Sequence, residues 1–548
     1  MGRLRAGLLP LLVGLLGCDP KGAEESDARV PDARARVVAI PATEGPAPAV
    51  AEDPPEAPPT PTTEASEPEA SHEPAPEAVD PRAAFDARYP NHGITFHFLA
   101  RVRAEPNQSA DVVGYMRRGA RFRATERVPG VGCARGWFEV PGDGFVCRGE
   151  GFLIGSEPPS FEPTPVPPAL EDALPYAYGW VPRDDVAQFW HLPTESEERA
   201  VADVFAGLRR QAEAAPSPEV ASEGETVEQA AVDEGAVEAP PPPGSAEDDS
   251  AEDEELGEAG SLAPVTVAQA NPLEIPDFVR LRMRRGFYVS LDREEVDGSR
   301  NFFRTVRGAY VRADAVAPNE PPDHRGVVLG GQWQLPIAFV YRGNTSRLRR
   351  VGTSNRFREV GRLDKHTPLR VLDTLERGGQ RYAITRGGDL VRGTSLRWAE
   401  PIERPEDIEE GERWIHVRLS EQTVVAYEGD TPIFATTVST GRAGFETPTG
   451  LFRVQSKHVS TTMDDLTNPD EAYLIEDVPW TMYFEGNYAL HAAFWHDGFG
   501  RQRSHGCVNL APADARWLFR WSGPELPASW HGTFATRNRR GSAVYVTE

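Results

Sequence analysis

Hydrophobic and polar positions alternate in short runs along most of this chain, and Gly, Pro, Asn and Asp separate the runs. That pattern predicts short strands joined by turns rather than helices. Between about Asn91 and Ser156 the runs are Phe96-His97-Phe98-Leu99, Val112-Val113-Gly114-Tyr115, Arg121-Phe122-Arg123-Ala124, Trp137-Phe138-Glu139-Val140 and Gly144-Phe145-Val146. From Phe278 to about Pro401 they include Gly286-Phe287-Tyr288-Val289-Ser290, Gly308-Ala309-Tyr310-Val311-Arg312, Thr367-Pro368-Leu369-Arg370-Val371-Leu372 and Gln380-Arg381-Tyr382-Ala383-Ile384. A third group opens at Trp414 with Ile415-His416-Val417-Arg418-Leu419, Thr423-Val424-Val425-Ala426-Tyr427 and Ile433-Phe434-Ala435-Thr436-Thr437-Val438-Ser439. Helical spacing appears twice. Val201, Val204, Phe205 and Leu208 share a face over Glu195 to Arg210, and Thr194 with Glu197 fits a capping box. This helix follows an aromatic patch (Tyr176, Tyr178, Trp180, Phe189, Trp190) and is expected to pack on a neighbouring domain. The second helical run is Pro512 to Phe519. The whole pattern predicts a mainly β, multi-domain protein whose last domain is built on sheets with one short helix.

Two stretches break the pattern. Residues 19 to about 82 are dominated by Pro, Ala, Glu, Ser and Thr. From Glu213 to Gly260 there is no Lys or Arg, and sixteen acidic residues lie between Glu213 and Glu258. Neither stretch can bury enough apolar surface to offset its ordering entropy. They read as a semi-extended tether, up to roughly 3 Å per residue, and an acidic linker. The net charge of −26 is therefore partly a linker property. Acidic linkers repel phosphate, so no nucleic-acid partner is expected.

The first eighteen residues have the form of an export signal. Arg3 and Arg5 supply a positive start, and Leu8 to Leu16 a short apolar run. Leu15-Leu16-Gly17-Cys18 resembles a bacterial lipobox with Cys18 as the lipidated residue. The run is too short to span a bilayer comfortably; a plain signal peptide or short anchor is the alternative. Cys133 and Cys147 lie in one small β segment and are expected to pair in an oxidising compartment, two ordinary buried thiols being the alternative. That leaves Cys507 as a free thiol.

Cys507 sits in Ser504-His505-Gly506-Cys507-Val508-Asn509, with His491 a short way upstream. A thiol nucleophile needs a base and free backbone N–H groups for an oxyanion, and this run offers both. The chemistry indicated is acyl transfer. A zinc site from His491, His496, His505 and Cys507 matches no common ligand spacing, and metal would suppress the nucleophile. No metal or cofactor is expected.

Ser439-Thr440-Gly441, Thr447-Pro448-Thr449-Gly450-Leu451-Phe452, Tyr488-Ala489-Leu490-His491 and Ser504 to Leu510 occur in an order and spacing that resemble the catalytic domain of the L,D-transpeptidases, the YkuD family. The resemblance covers residues 413–548. Residues 91–156 resemble a bacterial SH3-like domain, through Val102-Arg103-Ala104-Glu105-Pro106, Val113-Gly114, Gly119-Ala120-Arg121-Phe122 and Trp137-Phe138-Glu139-Val140. The organisation expected is a lipoprotein signal at 1–18, a disordered tether at 19–90, the SH3-like domain at 91–156 and a Pro-rich and helical connector at 157–210. A disordered acidic linker at 211–272, a β-rich region with one or two further SH3-like units at 273–410, and a β-sandwich catalytic domain at 411–548 complete it.

The resemblance implies that Cys507 attacks the carbonyl between the third and fourth residues of a peptidoglycan tetrapeptide stem. D-alanine leaves, and an amine resolves the thioester to a 3→3 cross-link. It implies His491 as the base, forming a thiolate–imidazolium pair, with the backbone carbonyl of Ala492 holding its tautomer; the family usually has Gly or Ser at that position. Gly506 and Cys507 N–H groups would hold the oxyanion. Ser504, His505, Asn509 and Tyr488 would line or brace the substrate site, and Phe494, Trp495 and Phe499 would pack or form a lid. Two other outcomes stay open: a carboxypeptidase, endopeptidase or protein-attachment enzyme, and a non-catalytic wall-binding scaffold. The partners implied are stem peptides and, through Cys18, a membrane, in a periplasmic envelope location. The oligomeric state is left open. The SH3-like parts are either wall or peptide binders or spacers. The basic run Arg282, Arg284, Arg285, Arg342, Arg347, Arg349 and Arg350 reads first as a solvated face. A surface for anionic wall polymer is the second reading.

Overall fold

The computed structural model describes residues 80–214, 274–354, 356–466 and 472–548. The signal region and Cys18 lie outside the described residues. The segment expected to be tether to residue 90 ends earlier: Pro81–Arg88 is a helix, with Asp80 accepting from the Arg82 N–H at 3.0 Å. Asp at the N-cap and Pro at the first helical position favour that start.

The first β unit holds eight strands between Asn91 and Gly155. Its strands are Asn91–Thr95 and Leu99–Arg103 where the hydrophobic run had suggested Phe96 to Leu99, which instead spans the turn between them. Val102, Met116, Phe138, Val140 and Phe152 form its core, and Trp530 from the far end of the chain completes it. Cys133 and Cys147 are joined by a disulfide.

The connector expected at 157–210 is not a separate piece. Ala177–Trp180 and Val186–Phe189 pair with Tyr288–Asp297 and Val279–Met283, so they open a second β unit that closes at Ala317–Pro318. A third unit runs from Ile337–Val340 to Leu396–Ala399. Its seven strands repeat the pairing of the second unit strand for strand. Thr305, Val311 and Arg312 recur as Thr385, Val391 and Arg392, each set followed by one 3-10 turn. The difference lies in one connection. Where the third unit passes from Arg350 to Phe357, the second passes from Phe189 to Val279 through the Glu195–Ala214 helix and the acidic run. The acidic stretch is thus an insertion within a domain. The helix begins as its sequence indicates, with Thr194 and Glu197 bonded reciprocally (Thr194 N–H to Glu197 Oε2 2.7 Å, Glu197 N–H to Thr194 Oγ1 3.3 Å). It buries Val201 and Phe205 against Phe189 and Val279 of its own unit.

The last unit has two sheets around one core. One sheet is built from Arg413–Arg418, Thr423–Glu428, Thr431–Thr437, Gly450–Arg453 and Ala543–Thr547, with Val327–Val328 added at an edge. The other contains Ser456–Asp465, Tyr473–Glu485, Tyr488–Ala492, Val508–Leu510 and Gly532–Phe534. Ile415, Val424, Met482, Leu490, Val508 and Leu518 of the Pro512–Trp521 helix fill the space between. The hydrophobic effect does not stop at the unit's border. Ile337, Phe339, Ala399 and Ile408 share a core with Trp414, Val425 and Tyr427. Tyr176, Tyr178 and Val306 share another with Ile475, Val478 and Phe494.

Candidate active site

Two parallel strands place the chemistry. Tyr488–Ala492 and Val508–Leu510 run side by side, with His491 opposite Asn509 and Cys507 immediately before the second strand. Cys507, His491, Ser504, His505 and Asn509 all line one cavity of about 570 Å³. The structure therefore brings together five of the residues singled out in the sequence. Tyr488 goes elsewhere: its ring lies beneath Gly506, where an added Cβ would fall 2.4 Å from Tyr488 Cε1. Gly506 also has φ of 114°, so both backbone conformation and space demand glycine.

The loop before the thiol is held by its own short side chains. Ser504 Oγ donates to the Cys507 carbonyl at 2.6 Å and accepts the Gly506 N–H at 3.1 Å. This corrects the oxyanion role expected of Gly506, because its N–H is already committed to the loop. Thr447 Oγ1 donates to the Gly506 carbonyl at 2.7 Å and accepts the Gly441 N–H at 3.0 Å. That bond ties the Thr447 and Gly441 stretches, seen in the sequence only as a pattern, to the Cys507 loop. Asn509 exchanges backbone bonds with Ser439 (2.8 and 2.9 Å), and its side-chain amide contacts His496 Nε2 at 3.1 Å.

His491 is buried, and its Nδ1 lies 3.1 Å from the Ala492 carbonyl. A carbonyl only accepts, so Nδ1 carries the proton and Nε2 is left unprotonated. Burial pushes the His491 pKa down to about 4, against a small opposing effect of that carbonyl. Burial pushes the Cys507 thiol up to about 11, although the Ala489 N–H favours the thiolate. The resting pair is thus neutral thiol and neutral imidazole, not the thiolate–imidazolium pair expected from the sequence. The desolvated cavity disfavours both charges. The acid limb of kcat/KM follows from this. An imidazole works as a base only above its own pKa, so the limb should fall near pH 4 to 5, not near 6.5. A pH–rate profile of D-alanine release checks it; a limb at 6.5 would show a solvated histidine.

The loop between His491 and Cys507 is packed, not a lid. Phe494 and Phe499 are 1% and 0% exposed. Tyr178 of the second β unit lies 4.0 Å from Phe494, centroid to centroid, and Asn319 Nδ2 donates to the Phe494 carbonyl at 3.1 Å. Only Trp495 of the three aromatics reaches the cavity, where it stacks on His491 at 5.8 Å. His496 is spent on Asn509 and on the Gly498 N–H, which it accepts at 3.0 Å. Tyr473 stacks on His505 at 5.4 Å. Sequence reasoning missed Tyr288 and Gly286, cavity residues that come from the second β unit. Only the sheet pairing of Tyr288 with Ile475 reveals them.

Residues 412–544 match the family model of YkuD, the L,D-transpeptidase catalytic domain. A curated relative from Bacillus subtilis (strain 168), "Putative L,D-transpeptidase YciB", is 25% identical over 154 residues, which cover 23% of this chain and 70% of that protein. Among solved structures, an L,D-transpeptidase from Mycobacterium smegmatis matches with 19% identity over 33% of this chain and 82% of that one, at a TM-score of 0.21. The LD transpeptidase LdtMt1 in complex with imipenem matches with 20% identity over 29% and 72%, at a TM-score of 0.21. The match of residues 412–544 to the YkuD L,D-transpeptidase catalytic domain supports peptidoglycan L,D-transpeptidase function.

Proposed function

We propose that Cys507 is the nucleophile of a peptidoglycan L,D-transpeptidase and His491 its base. The observation that carries this reading is the shared cavity, which is lined both by His491 with its Nε2 unprotonated and by Cys507, the free thiol among the described residues. The Cys507 proton passes to Nε2 as sulfur attacks the carbonyl after the third stem residue. The protonated imidazole then gives that proton to the departing D-alanine amine, leaving a thioester. An incoming neutral amine attacks the thioester and gives one of its own protons to Nε2; the C–S bond breaks to release the new amide, and the Cys507 thiolate takes that proton from Nε2. The Cys507 N–H is the donor assigned to the oxyanion, since Gly506 is committed to Ser504. Asn509 lines the same cavity with its side-chain amide against His496; because His496 Nδ1 accepts the Gly498 N–H, His496 Nε2 is a donor and the Asn509 amide oxygen is its partner.

Around this centre we propose a lipid anchor at Cys18, a periplasmic envelope location, and SH3-like character for the upstream β units. The disulfide in the first unit fits an oxidising compartment.

Incubating residues 80–548, wild type and Cys507→Ala, with a disaccharide tetrapeptide tests the reading. Wild type should yield a cross-linked dimer and free D-alanine, and the variant neither. Tripeptide without dimer would instead favour the carboxypeptidase outcome. Equal product from both proteins would remove Cys507 from the chemistry.

A further inference from the structure

Beside the reaction cavity lies a second one of about 290 Å³, lined by Tyr341 and Lys365 of the third β unit and by Arg501, Gln502 and Arg503. Arg503 lines both cavities. Its backbone is fixed, with its N–H donated to the Thr440 carbonyl at 2.8 Å. Its stem lies over Gly498, where an added Cβ would come within 3.2 Å of Arg503 Cδ.

Most arginines near this region have spent their charge. Arg347 and Arg349 share Asp389, and Arg381 and Arg418 share Glu400. Lys365 is taken by Asp497 at 2.6 Å. Arg397 donates to the Gly500 carbonyl at 2.6 Å and lies over the Tyr341 ring at 3.9 Å. Arg501 lies over the same ring at 5.7 Å. No carboxylate among the described residues pairs with Arg501 or Arg503, and the two stand next but one in sequence. Among the described residues lining the reaction cavity, Arg503 is the one permanent cation, because His491 and His496 are kept neutral by burial. Arg501 and Arg503 both line the second cavity, so an anion bound there meets two guanidinium groups.

We infer that Arg503, supported by Arg501, binds a free carboxylate of the stem peptide and sets the enzyme's preference for carboxylate over carboxamide stems. This inference rests on the transpeptidase reading. A tetrapeptide stem offers that carboxylate from two sources: the C-terminus of the leaving D-alanine and the side chain of a diamino-diacid third residue. The third β unit enters as a positioning element. Lys365 and His366 hold Asp497 (2.6 and 2.5 Å), and Arg397 holds Gly500, so the segment bearing both arginines is braced from outside the catalytic unit.

The test uses residues 80–548 as wild type, Arg503→Gln and Arg503→Lys. Three disaccharide tetrapeptides are compared: unmodified, amidated at the C-terminus, and amidated on the third side chain. Release of the fourth residue is followed with KM and kcat separated. Arg503→Gln should lower kcat/KM for the unmodified stem by about 10- to 100-fold, mainly through KM, with Arg503→Lys recovering part. One of the two amides should lower wild-type kcat/KM by a similar factor and leave Arg503→Gln unaffected, which identifies the source. A change under twofold in Arg503→Gln, or equal sensitivity of both amides to that substitution, overturns the inference while leaving the transpeptidase standing. Absence of any Cys507-dependent release by wild type overturns both. Thermal melting of each variant separates loss of contact from loss of fold, and an unfolded Arg503→Gln makes Arg503→Lys decisive: weakened affinity with the carboxylate preference retained supports the inference, and unchanged affinity, or a lost preference in a folded Lys variant, overturns it.

Discussion

A chain reduced to residues 411–548 is expected to be recovered unfolded or aggregated, with no measurable turnover, whereas residues 80–548 should fold and work. The family match spans 412–544 and suggests an independent domain, but the packing does not end there. Trp414 and Tyr427 stack at 4.2 Å and are fully buried under Ile337, Phe339 and Ala399 of the third unit and Ile408 of the segment that follows it. Trp530 inserts into the core of the first unit. Ile475, Val478 and Phe494 are covered by Tyr176, Tyr178 and Val306. Re-exposing a large apolar side chain loses about 1.5–3 kcal/mol. A handful of them equals the whole net stability of a typical domain, about 5–15 kcal/mol. Circular dichroism and urea titration of the truncated chain decide the matter. A sharp cooperative transition with retained D-alanine release would show that the upstream units are accessories.

The second large effect is expected at Arg117. It is buried, and its guanidinium reaches from the first unit to Asp477 at 2.6 Å, Ser460 at 3.0 Å and His531 at 3.3 Å in the catalytic unit. Asp477 also takes the Ser290 hydroxyl of the second unit at 2.5 Å, and its carbonyl takes Tyr178 OH at 2.6 Å. Three units therefore meet on one carboxylate. Burial alone would raise the Asp477 pKa, yet the Arg117 and Arg307 charges and these hydrogen bonds hold it well below the usual carboxylate range. Arg117→Met leaves that anion buried without its counter-ion, which should destabilise the protein by about 3–5 kcal/mol. Arg117→Met with Asp477→Leu removes both charges and should recover part of the loss. Urea unfolding of the single and double variants reads this out. A loss below about 1 kcal/mol in the single variant would mean that water or a rearranged partner replaces the arginine.

What could be read from the sequence is what local physics encodes. The Thr194–Glu197 cap, the helical face of Val201 and Phe205, and the run around Cys507 depend on neighbours within a few residues. They stand in the structure where the pattern puts them. The His491 tautomer was also legible, because its partner is the next residue's carbonyl. The second β unit was not. Its first two strands are only four residues each, and their partners follow after the helix and the acidic run. No local period reports a pairing across such a gap. The recurrence of Thr305-to-Arg312 as Thr385-to-Arg392 was the one signal that could have exposed it. Gly506 was placed correctly but given the wrong task, since a glycine beside a nucleophile looks like an oxyanion donor until Ser504 Oγ is seen on its N–H. The contributions of Tyr288 and Arg503 depend on tertiary packing alone.

The central claim is that Cys507 carries the acyl group of the stem peptide. Intact-protein mass spectrometry of residues 80–548, mixed with disaccharide tetrapeptide and quenched in acid, tests it directly. An adduct of the substrate mass less D-alanine is expected, mapped to Cys507 by peptide analysis, absent in Cys507→Ala and discharged on adding an amine acceptor. Product formation by a competent wild-type enzyme with no adduct on Cys507 in rapid-quench samples, or with the adduct on another residue, would contradict it.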